Sequence, residues 1–421
     1  MSVTTEAAPA PGFAGWLAST KRALDRPLTS YYLLVGSSTM LLSIGLVMVL
    51  SASSVYSYTQ FGNSYHVFLK QLTWVGLGMP FALLATRMPR RLLRVAAWLA
   101  VLASVGLIAL TQTSLGFSVN GNRNWLALGP LTVQPSEISK LAIVIWSADV
   151  YSRKEKLLGD WRHTLFPVVP VVVAIVALVV LEHDLGTALV LFAIMLGMLW
   201  VVGAPARLFG LSLSVVAVTA FFLAATNPER RARMTNFLNP FKDFQGVGWQ
   251  PGHGLLGMAS GGILGKGISA SQQKWGNLPE AHTDFIFAVL GEELGLVGTL
   301  LVLGLFLTLA YAAIRLAVQT KDPFVRYVCA GVTIWLMSQM IINIGMVLAL
   351  LPVIGLPLPL VSYGGSALVP SLVAIGLLVG FARSEPAAAQ ALRDKRRSRR
   401  VNGSSGGRGG INVRARPRPR E

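Results

Sequence analysis

The stretch LPEAHTDFIFAVLGEELG, residues 278–295, carries Asp284, Glu292 and Glu293 from a charged, proline-started loop into an apolar run. Asp284 stands on the seam. A carboxylate there, beside a basic loop, can serve as general base toward a hydroxyl arriving from the lipid–water interface. An Asp just ahead of FIFAVLGEELG is equally suited to cap that helix, and residue type and spacing leave both readings open. Glu292 and Glu293 lie about 12 Å further along a helix rising 1.5 Å per residue. Carboxylates at that depth are costly and need partners or a wet cavity. VQPSEISKLAIVIW offers one partner, since Glu137 and Lys140 share a helix face at i,i+3. Asp184 in EHDLGT, the i,i+4 pair Gln339 and Asn343, and Ser362 are further polar groups set in apolar runs. We read these, with Glu137, Lys140, Glu292 and Glu293, as a structural polar core of interhelical hydrogen bonds.

Other motifs carry less chemistry. GGILGKGIS echoes a phosphate-binding loop but has Ser260 and Gly267 where that motif needs Gly and Ser/Thr. Its glycines read as a re-entrant turn lying on the membrane. His253 and His282 have no metal-ligand spacing around them, and hydrogen bonding within the loop is the expected use of both. A hard divalent cation, magnesium or manganese, at Asp284 with a phosphate ligand stays open, and no other cofactor is expected. LPVIGLPLPLVSYGGS, residues 351–366, has three prolines (Pro352, Pro357, Pro359) and three glycines at span depth. Irregular backbone there must be buried in protein or line a cavity.

The elements that must position these groups follow from composition. Hydrophobic residues make up 53% of the 421 and charged residues 13%. A membrane crossing needs about 20 apolar residues. Such runs recur near 31–53, 68–86, 92–111, 135–151, 164–181, 186–202, 206–225, 285–315, 326–351 and 365–383. The fold class is therefore an all-α polytopic membrane protein of about ten transmembrane helices. Lys and Arg after the second, fourth, sixth and eighth spans, and ahead of the first, put both termini in the cytoplasm. The large loop 227–284 between spans seven and eight lies outside. It keeps Arg233, Lys242 and Lys274 against the positive-inside trend, which suggests an anionic ligand. The domains are a cytoplasmic segment 1–30, a membrane domain 31–383 and a tail 384–421. From Arg383 onward, 12 Lys/Arg against 3 Asp/Glu give 12 − 3 = +9, half of the total +18. That composition reads as disordered and suits anionic lipid headgroups better than nucleic acid. The single cysteine, Cys329, excludes disulfides within the chain.

Taken together, LPEAHTDFIFAVLGEELG, QPSEISKLA, DLGTA, QMIINIGMVLALLPVIGLPLPLVSYGGS and GLVMVLSASS resemble the FtsW/RodA family of shape, elongation, division and sporulation proteins. The resemblance covers about residues 30–383, and PLTSYYLL is similar to the division branch. It implies a peptidoglycan glycosyltransferase that polymerises lipid II on the outer face of the bacterial cytoplasmic membrane, at the division septum. It also implies a class B penicillin-binding protein as partner, with other division proteins. The family's essential aspartate matches Asp284, which moves the balance toward catalysis, and its external tryptophan matches Trp125. Where the family has Arg just before that Trp, this chain has Asn124, with Arg123 one place earlier. On this reading Arg123, Arg233, Lys242 and Lys274 are the candidates to bind pyrophosphate, and His282 joins them as a substrate-binding candidate. Glu292 and Glu293 are expected to meet polar partners such as Lys140. Two rivals use the same residues: a lipid II flippase, and a non-catalytic scaffold that activates the transpeptidase.

Overall fold

The computed structural model describes residues 26–119, 122–129, 131–225, 228–391 and 393–394. The segment before residue 26 and the basic tail from residue 395 lie outside the described residues. The chain divides into two compact units, Met1–Thr29 with Ala382–Glu421, and Ser30–Phe381, and the candidate site lies in the second.

Helices occupy all ten apolar runs. They are α1 (Thr29–Phe61), α2 (His66–Ala85), α3 (Arg90–Thr111), α4 (Pro135–Arg153), α5 (Trp161–Leu165) with α6 (Val168–Leu181), α7 (Leu185–Val202), α8 (Ala206–Ala225), α9 (Pro228–Asn236), α10 (Trp249–Gly261), α11 (Ile286–Gln319), α12 (Pro323–Val347) and α13 (Gly365–Ser384). Of these, α9 and α10 belong to the large loop. Eight stretches, with Trp161–Leu181 taken as one, are long and apolar enough to cross a membrane among the described residues. The protein is an all-α polytopic membrane protein. α4 differs from those eight because it carries Glu137, Lys140 and Asp149, all buried. Each is answered inside the protein. Lys140 Nζ sits 2.6 Å from Glu137 Oε1 and donates to Gln339 Oε1 at 3.2 Å. Asp149 accepts from Trp98 Nε1 at 3.0 Å and Arg153 Nε at 2.9 Å.

Helix starts follow ordinary capping chemistry. Asp184 precedes α7 and accepts from the Thr187 amide at 2.9 Å, and Asp322 accepts from Phe324 N at 3.0 Å ahead of Pro323. The segment 112–134 between α3 and α4 holds an antiparallel meander of β1 (Gly116–Val119), β2 (Asn122–Leu128) and β3 (Leu131–Val133). Phe117 pairs with Trp125, and alternation along β2 exposes Arg123 and buries Asn124.

α11 is broken at Gly295, whose φ of 65° and ψ of −162° are non-helical. Such a break strips carbonyls from the first half and amides from the second of their helical partners. The glycine loop after α10 supplies both. Lys266 N and Gly267 N donate to the carbonyls of Glu292 and Glu293, each at 3.0 Å. Leu296 N and Val297 N donate to the carbonyls of Gly262 and Ile263 at 2.9 and 3.1 Å. Glycine is required on both sides of this splice. A Cβ on Gly265 would lie 2.2 Å from Glu293 O, and one on Gly295 would lie 2.4 Å from Gly265 N. The GGILGKG run is thus a backbone patch for a broken helix.

Candidate functional site

The splice decides what Glu292 and Glu293 do. Both are fully buried, and both turn toward the loop. Glu292 pairs with Lys266 at 2.9 Å, accepts from the Ser271 hydroxyl and takes the Gln272 amide at 3.0 Å. Glu293 accepts from Ser51 Oγ of α1 at 2.6 Å and pairs with Lys274 at 3.5 Å. The expected partner Lys140 is committed elsewhere, to Glu137 and Gln339, so that pairing is corrected. Lys274 is corrected too as a pyrophosphate ligand. It is buried, with its ammonium held by Ser269 O at 2.7 Å, Ser51 Oγ at 3.3 Å and Glu293.

Asp284 lies just before this clamp. The first residue of α11 is Ile286, the capping position falls to Phe285, and no side chain caps the helix. Among the described residues, none donates a hydrogen bond to the Asp284 carboxylate. Its cap reading therefore loses the bond that defines a cap. Its backbone, by contrast, is pinned. Asn343 Nδ2 donates to Asp284 O at 2.8 Å and to Leu356 O at 2.6 Å. The second acceptor belongs to residues 348–364, which form no helix or strand, as the prolines foretell. Gly355, at φ +75°, passes so close that a Cβ there would sit 3.3 Å from Asp284 Oδ2. Gln339 Nε2 holds Pro357 O at 2.9 Å, Ser362 Oγ accepts from Leu358 N at 2.8 Å, and Gln71 Nε2 of α2 holds Ser362 O at 3.2 Å. The proline loop is thus anchored to α12 and α2 and forms a wall beside a carboxylate to which no described residue donates.

The electrostatics around that carboxylate are unfavourable to charge. Burial pushes Asp284 up to about 7, and the like charges of Glu280 and Asp184 add to it. By surface the side chain is only half-buried, so an opening remains, yet protein crowds it enough to govern its charge. His282 is buried, and that burial lowers its affinity for a proton, with Glu280 opposing. Its ring stacks on Tyr56 at 4.9 Å and meets Tyr363 at 5.7 Å.

Asp184 links the site to the β-meander. It accepts from Asn124 Nδ2 at 2.9 Å and Gln134 Nε2 at 2.7 Å while capping α7. Asn124 therefore faces inward to the carboxylate, while Arg123 faces out and donates to Thr113 O at 2.8 Å. Trp125 is half-buried beside them. Glu182, fully buried two residues before Asp184, is pushed by burial to about 7 despite the hydroxyl of Thr111, with Asp184 raising it further. Arg233 lines a small cleft with Val353 of the proline loop, and Lys242 is exposed. His253 stays within its own loop, its Nδ1 3.0 Å from Trp249 O. Among the described residues no group of three or more His, Cys, Asp or Glu is arranged to hold a metal ion. The roles of Asn124, Gln134, Gly355, Ser51 and Ser271 were not read from the sequence. The one available signal was their position at the ends of apolar runs or beside prolines and glycines.

Comparison with known proteins agrees with this architecture. The FTSW_RODA_SPOVE family, described as "Cell cycle protein", matches residues 32–386. The probable peptidoglycan glycosyltransferase FtsW of Mycobacterium tuberculosis is 40% identical over 388 residues, covering 92% of this chain and 73% of its own. Among solved structures, a chain of a peptidoglycan synthase complex described as coordinating polymerization and crosslinking superposes with a TM-score of 0.68. It is 29% identical and covers 84% of this chain and 97% of its own. The rod shape determining protein RodA of Thermus thermophilus gives a TM-score of 0.61 at 29% identity, with coverage of 84% and 97%.

Proposed function

The chain belongs to the FtsW/RodA/SpoVE family of cell cycle proteins, and on that premise we propose how its outer site works. The protein is a peptidoglycan glycosyltransferase. It polymerises lipid II, an undecaprenyl-pyrophosphate-linked disaccharide-pentapeptide, into glycan strands during septal wall synthesis. The reaction takes place at the outer face of the cytoplasmic membrane, with ten spans and both termini inside. Its partner is a class B penicillin-binding protein, for which the likeness to a peptidoglycan synthase complex speaks.

Asp284 is the general base. It takes the proton of the acceptor's GlcNAc 4-hydroxyl as that oxygen bonds to C1 of the donor's MurNAc. The C1–oxygen bond to pyrophosphate breaks, and the lipid pyrophosphate leaves with the electron pair. A leaving group that weakly basic needs no protonation, so one carboxylate suffices where glycosidases use two. The observation that carries this reading is an Asp284 carboxylate that receives no hydrogen bond from the described residues, on a backbone held by Asn343, against a wall that approaches it at Gly355. Of the four candidate cations, Arg123, Arg233 and Lys242 meet the pyrophosphate in this proposal, while Lys274 is held by Glu293. The flippase reading needs a polar pathway. The intramembrane groups that would line it are instead paired with one another, as in Glu137, Lys140 and Gln339.

The test is strand synthesis from labelled lipid II by the purified full-length chain, with and without its transpeptidase, in detergent. The expected product is a ladder of glycan strands, at least in the complex. Lipid II moved between leaflets of a vesicle with no strands formed in either preparation would overturn the assignment.

A further inference from the structure

The tip of the glycine loop is apolar and outward-facing. Ile263 is 68% and Leu264 80% exposed, and Ile268 after the turn is exposed as well. Solvent-facing tips of outer loops are ordinarily polar. This one is stitched by backbone hydrogen bonds to Leu296 and Val297, the first residues of the second half of α11. Those residues, with Leu300 in the following turn, are themselves exposed and apolar. The second half, residues 296–319, is about 36 Å long at 1.5 Å per residue. That exceeds the roughly 30 Å hydrocarbon core, so the second half alone is long enough to cross, with the splice at its outer end in the proposed topology.

Non-helical backbone is excluded from lipid because its amides and carbonyls lack partners there. Here the splice answers several of those groups. Gly262 O and Ile263 O accept from Leu296 N and Val297 N, and Gly265 N donates to Gly261 O at 2.9 Å. Lys266 N and Gly267 N reach the carbonyls of Glu292 and Glu293, and the Lys266 ammonium is neutralised by Glu292. The side chains that face outward at the tip, Ile263, Leu264 and Ile268, are hydrocarbon.

We propose that the Ile263–Leu264 tip, with Ile268, is a membrane anchor embedded among the acyl chains of the outer leaflet. Its apolar surface continues the exposed apolar stripe of Leu296, Val297 and Leu300 on α11, and this continuity, together with the backbone bonds of the splice, favours lipid over a protein partner. The anchor fixes the depth of the loop. Through the splice, it also fixes the first half of α11, at whose start Asp284 stands.

The experiment places a cysteine at Leu264 in the full-length protein, labels it with an environment-sensitive fluorophore and reconstitutes it in phospholipid nanodiscs. Cys329 is fully buried, and the unsubstituted chain controls for its labelling. Exposed Gln245 of the same large loop, labelled likewise, is the aqueous reference. The proposal expects blue-shifted emission at position 264, quenched by a spin label high on the acyl chain and untouched by aqueous iodide. Iodide quenching equal to that at position 245, with no effect of the lipid spin label, overturns it. So does protection from iodide that arises only when the transpeptidase is co-reconstituted, which would make the tip a protein-docking surface.

Discussion

Asp284→Asn makes glycan strands from lipid II about 10²–10⁴-fold more slowly than the wild-type protein, the range a positioned general base contributes. The amide matches the carboxylate in size and cannot accept the hydroxyl proton. No cap is lost, because α11 starts at Ile286 without a side-chain cap. Stability follows from the raised pKa of about 7 against an ordinary 3.8. The folded carboxyl binds its proton more tightly than the unfolded one. Its contribution is therefore full below the unfolded value and is lost as pH rises through about 7. Removing the charge at pH 8 should leave the melting temperature equal to or above that of the wild type. Co-purification with the transpeptidase should survive. Strand synthesis at the wild-type rate would remove Asp284 from the chemistry and leave the scaffold reading.

Asn343→Ala has the second-largest expected effect, by a different route. The side chain touches no substrate in this account. Its Nδ2 ties Asp284 O to Leu356 O, so that base and proline loop keep one geometry. Without it both carbonyls lose a buried donor, at about 1–3 kcal/mol for each group left unsatisfied. A base displaced by about 1 Å loses on the order of 10²-fold in rate. We expect kcat to fall by about that factor while KM changes little. The pH dependence should keep its acid limb, because the base is still present. A lowered melting temperature with unchanged kcat would make Asn343 a purely structural clamp.

Much of the architecture was legible because apolar runs of span length leave few alternatives to helices, and all ten runs are helical. The three-stranded sheet was not, since strands this short in a polar loop give no period to read. Polar residues at span depth stand out by type in the sequence, whereas their partners do not. Lys140 was matched to Glu292 and Glu293 by depth alone. Cross-helix distance is a tertiary property, and the carboxylates instead found Lys266 and Lys274 through a helix break at Gly295. The glycines that mark that break, in GGILGKG and GEELGLVG, were visible, but their pairing across the two segments was not. Asp284 turned on a still finer point. Whether it caps α11 depends on a shift of one or two residues in where the helix begins, which no pattern of residue types specifies.

The most direct measurement of the central claim is the pH dependence of kcat/KM for strand synthesis by the wild-type protein with its transpeptidase, since kcat/KM reports groups of the free enzyme. With Asp284 as base at about 7, log kcat/KM rises with unit slope below that pH and levels above it. The residual rate of Asp284→Asn shows no such limb. A wild-type profile that is flat through this region, or an identical limb in Asp284→Asn, would contradict the account.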